Sequence, residues 1–116
     1  MTAVEERRYV RADGLPKVTG QARYAADLSM PGMLHAAFLY AGVPSARIRR
    51  LDTTAAKAIP GVMAVITAAD VPEVRYGAAV RDRTLFAREA VRFEGEILAA
   101  VAALTPELSA EACRRI

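Results

Sequence analysis

The chain has no tryptophan, one cysteine and one histidine. A lone thiol, Cys113, cannot close an internal disulfide, and with His35 as the sole imidazole it cannot complete a zinc site. Met1 to Gly14 carries Glu5, Glu6, Arg7 and Arg8 where a secretory leader needs an apolar run. The uncharged stretch Met30 to Ala46 is interrupted by Pro31, Gly32, Gly42 and Pro44, which rules out a membrane-spanning helix there. A cytoplasmic location with no membrane partner is the resulting expectation. The glycines form no phosphate cradle either: Gly14 and Gly20 are too far apart, lead into no long helix, and are followed by no Gly-Lys-Ser/Thr.

Charge of one sign is also scarce. The net charge is +3, a small imbalance among many residues of both signs, with Arg well in excess of Lys. Arg47-Ile48-Arg49-Arg50 and Arg114-Arg115 are short and lack flanking aromatics for base stacking. They read as solvated faces, and no nucleic-acid partner is expected.

What is present is the material of one folded domain. A chain of 116 residues, 53% of them apolar, buries roughly 65% of its unfolded surface, far from the composition of disorder. Residues 1–10 are polar and expected to be a flexible segment. Asp13-Gly14 and Thr19-Gly20 mark turns. Met33 to Ala41, aromatic-rich and bounded by Pro31-Gly32 and Pro44, reads as a buried strand. Ile48 to Asp52 reads as a second strand, its arginines snorkelling from an edge or exposed face. Asp52 is placed to cap a helix over Thr53 to Ile59, which Pro60-Gly61 ends.

Val62 to Thr67, a β-branched run between turn signals, is the clearest strand of the chain. Thr67-Ala68-Ala69-Asp70 has capping-box spacing, with room for only a short turn before Pro72. Glu73 to Ala90 lacks a pattern and reads as a long surface loop, of the kind that is functional or mobile. Ala90 to Glu94 alternates, with Val91 and Phe93 on one side, and Gly95 marks a bend. Ile97 to Leu104 is wholly apolar, as a central strand would be. Thr105 then caps a last helix with Pro106 at its first position, and Leu108, Ala112 and Ile116 share one face. Ile116 still lies on that apolar stripe with no terminating Gly or Pro, so the chain is expected to be a fragment of a larger subunit.

No residue set carries chemistry by itself, and the expected catalytic, cofactor-binding and metal-ligating residues number none. His35 on an apolar run reads as a buried, backbone-bonded imidazole rather than a general base. Cys113 reads as a buried structural thiol. Glu94 and Glu96 flank Gly95 and read as two solvated carboxylates, while Asp13, Asp27 and Asp70 sit at turns where side-chain to backbone bonds explain them.

The ordered string of turn and strand residues says more than any single motif. Arg11-Ala12-Asp13-Gly14-Leu15-Pro16-Lys17-Val18-Thr19-Gly20-Gln21-Ala22-Arg23-Tyr24, Asp27 and Pro31-Gly32-Met33-Leu34-His35-Ala36 come first. Pro44 to Ile48, Pro60 to Pro72, and Val91-Arg92-Phe93-Glu94-Gly95-Glu96 with Ala99 to Ala102 follow. In this order they resemble the opening of the large subunit of molybdenum hydroxylases, the xanthine dehydrogenase, aldehyde oxidase and carbon monoxide dehydrogenase family. The resemblance implies an α+β fold, the α/β hammerhead, with a mixed sheet and two or more short helices over residues 11–116. It implies a parent oxidoreductase with molybdopterin-bound molybdenum in later domains of the same subunit, and FAD and iron–sulfur clusters on partner subunits or domains. This chain would be a scaffold packed on the molybdopterin-binding domains, with no cofactor of its own and inactive alone. One departure stands out: the family commonly has Gly-Gln-Pro-Val where this chain has Gly95-Glu96-Ile97-Leu98.

A domain of a larger subunit should show an unpaired strand edge, or an apolar patch larger than a monomer tolerates. The alternative is a free-standing interaction module whose 73–90 loop and Arg clusters bind an acidic partner, a reading that a longer in-frame coding sequence would eliminate.

Overall fold

The structure, a computed structural model, describes residues 11–116 of a chain that divides into two compact units, Met1–Pro31 and Gly32–Ile116. The flexible segment expected over residues 1–10 lies outside the described residues. In the first unit the turn signal Asp13-Gly14 opens into a short helix, α1 (Gly14–Val18). Asp13 anchors it by ion pairs to Lys17 and Arg11, both at 2.6 Å, rather than by the side-chain to backbone bond expected of it. A 3₁₀ turn at Ala25–Asp27 follows, where the Asp27 carboxylate accepts from the Tyr24 amide at 2.9 Å.

The second unit contains β1 (His35–Tyr40), β2 (Ala46–Arg47), α2 (Thr54–Lys57), β3 (Val62–Thr67), β4 (Ala90–Val91), β5 (Ile97–Ala103) and α3 (Pro106–Arg114). The α+β fold expected from the sequence is observed. β5, the wholly apolar run, is central: the sheet order is β1-β5-β3, and β2 pairs with β4 in a separate two-stranded ladder. All three ladders are antiparallel. β1 and β3 run alongside each other in the same sense but are separated by β5, so no adjacent pair among the described residues is parallel, as a mixed sheet would require.

Helices α2 and α3 pack on one face of the three-stranded sheet. Strand alternation decides what they cover. Leu39, Ala37 and His35 of β1, Ala99, Val101 and Ala103 of β5, and Val65 of β3 point towards them. Ala56, Val65, Val101, Ala112 and Cys113 form the buried cluster, with Ile59 and Ile116 packed around it. Much of that core is alanine, which lets helix and sheet backbones approach closely. Thr105 caps α3 as expected, its hydroxyl accepting from the Leu108 amide at 3.2 Å. Ser109 enters the core because its hydroxyl is satisfied within the helix, donating to the Pro106 carbonyl at 2.8 Å. The 3₁₀ turn Ala68–Asp70 is a full capping box: the Asp70 carboxylate accepts from the Thr67 amide and hydroxyl, both at 2.8 Å.

Three elements differ from the sequence reading. The strand expected over Ile48 to Asp52 falls at Ala46–Arg47, because only Ala90–Val91 lies opposite to pair with it; beyond that the Ile48 amide donates once more, to Glu89 O at 2.8 Å. The second helix is shorter than expected. Asp52 still serves its start, accepting from the Thr54 amide at 3.0 Å, although the residue in the cap position is Thr53. The 73–90 segment is not surface throughout: Phe86 and Ala87 are buried, and the Ala87 amide donates to Ile97 O at 2.8 Å, which draws the end of the loop onto β5.

Candidate interaction surface

The same alternation that fills the helix side leaves the other side of the sheet apolar. Paired across β1, β5 and β3, the outward rows read Ala36–Ala102–Ala64 and Phe38–Ala100–Ile66, flanked by Tyr40 and Leu98. No charged side chain lies among them. Phe38 is 46% exposed, Tyr40 55% and Ile66 40%, and no element of the Gly32–Ile116 unit covers this face. The Phe38 and Tyr40 rings stand 6.1 Å apart in a tilted arrangement, so they present one aromatic ridge. Where β3 slips register between Val62 and Ala64, Met63 is left unpaired and 61% exposed beside the same rows.

An antiparallel sheet with one solvated face alternates apolar and polar residues; a strand apolar on both parities is one buried on both faces. β5 is apolar at every position and β1 nearly so. Burying a side chain of the size of Phe38, Tyr40 or Ile66 contributes about 1.5–3 kcal/mol, so leaving several exposed in one row is a large forfeited stabilisation. The sequence reading of Met33 to Ala41 as a buried strand is therefore half right: its helix-facing side chains are covered, and Phe38 and Tyr40 are not. The signal was available in the sequence as apolar residues on both parities of β1 and β5.

Tyr40 also joins this face to a cleft of about 430 Å³ whose walls include Tyr76, Leu85, Phe93 and Ile97. Glu96 contributes to that cleft and is the one buried carboxylate of the chain's described residues. Its Oε2 accepts from the Arg92 amide at 2.7 Å, across the bend where Gly95 takes φ +87°. Glu94 is exposed, so the pair of solvated carboxylates expected from the sequence is corrected for Glu96. At this bend the Glu96 side chain acts as an acceptor, a role that a glutamine carbonyl oxygen would also fill. Val91 and Phe93 do not share a side as the alternation suggested: the bend begins at once after β4, burying Val91 and exposing Phe93.

The remaining candidates are dispersed. His35 is half-buried on the helix side of β1, opposite Ala103, rather than fully buried. Cys113 lies in the core, where burial pushes its thiol up from the ordinary value, the inert condition expected of it. Glu107, at the start of α3, is held below the usual carboxylate range by its own backbone amide and the Thr105 side chain, with a smaller contribution from His35. Glu111 is lowered by Arg115 and Arg114, which it pairs with at 2.7 and 2.8 Å. Among the described residues no group of three or more His, Cys, Asp or Glu converges to hold a metal ion, and no helix is long and apolar enough to cross a membrane.

Comparison with known proteins agrees with this architecture. Residues 19–116 match the family model for the aldehyde oxidase and xanthine dehydrogenase a/b hammerhead domain. The chain is 42% identical over 108 residues to a probable xanthine dehydrogenase subunit of Bacillus subtilis (strain 168), covering 92% of this chain and 14% of that one. It is 43% identical over 104 residues to the nicotinate dehydrogenase large molybdopterin subunit of Eubacterium barkeri, covering 89% and 24%. Among solved structures, CO dehydrogenase from Oligotropha carboxidovorans superposes with a TM-score of 0.82 at 33% identity, covering 90% of this chain and 14% of that one. The chain thus spans less than a quarter of the length of these relatives. With the match extending over most of its length and the fold agreeing, the chain belongs to the aldehyde oxidase and xanthine dehydrogenase a/b hammerhead domain family.

Proposed function

We propose that residues 11–116 are the hammerhead domain of a molybdenum hydroxylase large subunit, and that its open sheet face is the surface on which the molybdopterin-binding domains pack. The observation that carries this is the row Ala36, Phe38, Tyr40, Ala64 and Ile66, apolar and exposed in a sheet whose central strand is apolar on both sides. The length of the relatives supplies the occupant: most of each lies outside the region matched here.

On this reading the parent is a cytoplasmic oxidoreductase of xanthine dehydrogenase type, passing electrons to iron–sulfur and FAD subunits or domains. The molybdopterin group supplies the redox chemistry when bound, and the described residues of this chain offer it no cluster of metal-ligating side chains. Cys113 is buried in the core, His35 stands alone and no metal-ligating cluster forms among the described residues. The cofactor is held elsewhere in the subunit, and the role of this domain is to bury, orient and exclude water along its sheet face. It is not catalytic alone.

The test is made in the full-length large subunit. Replacing Phe38 and Ile66 with Glu places two charges where the packing requires apolar surface. The expected result is loss of molybdenum content and of hydroxylase activity, with the 116-residue chain carrying the same pair still folded by circular dichroism. A full-length F38E/I66E subunit that retains its molybdenum and activity would overturn the proposal.

A further inference from the structure

The arginines that the packing role leaves unused come together in space. Three adjoining open cavities, of about 560, 450 and 460 Å³, share Arg88 in their walls. Around them stand Arg47, Arg49, Lys57, Arg75 and Arg92. The Arg47–Arg50 run and the 73–90 loop, remote in sequence, are brought side by side by the β2–β4 ladder and the Ile48 to Glu89 hydrogen bond.

Among the described residues these cations are largely uncompensated. Arg50 pairs with Asp52, but the Arg88 guanidinium donates to the Val71 carbonyl and Arg92 to the Asp82 carbonyl, each at 2.8 Å. Those bonds fix the guanidinium groups without neutralising them. The carboxylates on the same walls are Glu73, Glu89 and Asp70; Asp70 accepts from Thr67 and also feels the charge of Lys57. Six cations besides Arg50 against three carboxylates leave a positive concave surface on a chain whose overall charge is only +3.

We infer that this Arg88-centred surface docks a carboxylate-rich segment of polypeptide. Guanidinium forks match carboxylates in a bidentate fashion, and the prevalence of Arg over Lys here favours that recognition. Glu73 and Glu89, set among the cations, disfavour a continuous polyphosphate backbone, and no aromatic side chain lines these cavities to stack on bases. None of its lining residues belongs to the apolar rows, although Thr84 and Arg92 also line the cleft beside Tyr40.

The experiment titrates the 116-residue chain with a fluorescent oligoglutamate peptide by anisotropy, alongside an oligothymidylate of equal length and inorganic phosphate. Saturable binding of oligoglutamate that weakens steeply with added salt is expected. R49E/R75E, two exposed sites outside the core, should weaken it by about tenfold or more, as reversal of close charge pairs does. R49Q/R75Q should give an intermediate loss, and F38E/I66E on the sheet face should leave it unchanged. Because that last variant disables the proposed packing surface, the two readings fail independently. Tighter binding of oligothymidylate, binding insensitive to R49E/R75E in protein with native circular dichroism, or no binding at low salt would each overturn the inference.

Discussion

Asp52 shows how a single exposed carboxylate can organise a helix start. The Thr54 side chain, then the Thr54 amide, then Arg50 stabilise its ionised form and hold its pKa down to about 2, against an ordinary 3.8. A folded-state value depressed below the unfolded one stabilises the fold above the unfolded value and loses that contribution as pH falls through the folded one. The window is therefore from near pH 3.8 down to about 2. The residue is solvent-exposed, so the effect is small and screened by salt. Asp52→Asn is expected to melt below the parent above pH 4, with the gap closing as pH falls towards 2; paired thermal melts across that range check it. A gap that is constant with pH would mean the carboxylate's charge contributes nothing. Asp13, Asp70, Glu107 and Glu111 are depressed too, so both curves slope and only their difference isolates Asp52.

Among the elements, the junction of α2, β3 and α3 leaves little room for change. Gly61 takes φ +90°, and a β-carbon there would lie 2.8 Å from Leu108 Cδ1 and 3.6 Å from Leu104 Cδ1. Its carbonyl accepts from the Leu104 amide at 2.9 Å, tying the entry to β3 to the exit from β5. Gly61→Ala is expected to destabilise by about 1–3 kcal/mol from backbone strain alone, measured as a shift in denaturant midpoint. Adding Leu108→Ala should relieve the contact but not the strain, so the double variant should remain less stable than L108A. Equal midpoints for the double variant and L108A would show that the left-handed conformation costs nothing.

That junction was legible in part. Pro60-Gly61 as a helix stop, the Val62–Thr67 strand, the Thr105 cap and the central β5 all follow from local signals: breakers, β-branching and uninterrupted apolarity. What local signals could not supply was pairing. Ala46–Arg47 forms a strand only because Ala90–Val91 lies opposite, a contact between segments more than forty residues apart. Phe86, Ala87 and Glu96 are buried for the same reason, by long-range placement of an unpatterned segment. The arginine surface also needed the fold: the sequence shows Arg47–Arg50 as a short charged run, and only the β2–β4 ladder sets Arg88 beside it.

At the scale of the whole molecule, the sheet of the Gly32–Ile116 unit has helices on one face and no element of that unit on the other. β1 and β3 are its edge strands, and β1, with sequence HAAFLY, carries none of the Lys, Pro or inward charge by which edges are usually blunted. An uncovered apolar face beside an unprotected edge is an aggregation template unless something occupies it. The chain taken without the rest of a subunit is therefore expected to self-associate as concentration rises. Phe38→Glu with Ile66→Glu should hold it monomeric with little change in melting temperature, because both side chains point away from the Ala56–Val101–Ala112 core. Sedimentation velocity across a concentration series separates the outcomes. A parent chain that stays monomeric throughout would show that Phe38, Tyr40 and Ile66 are tolerated by water as they stand, and the physical reason for placing a partner on that face would be gone.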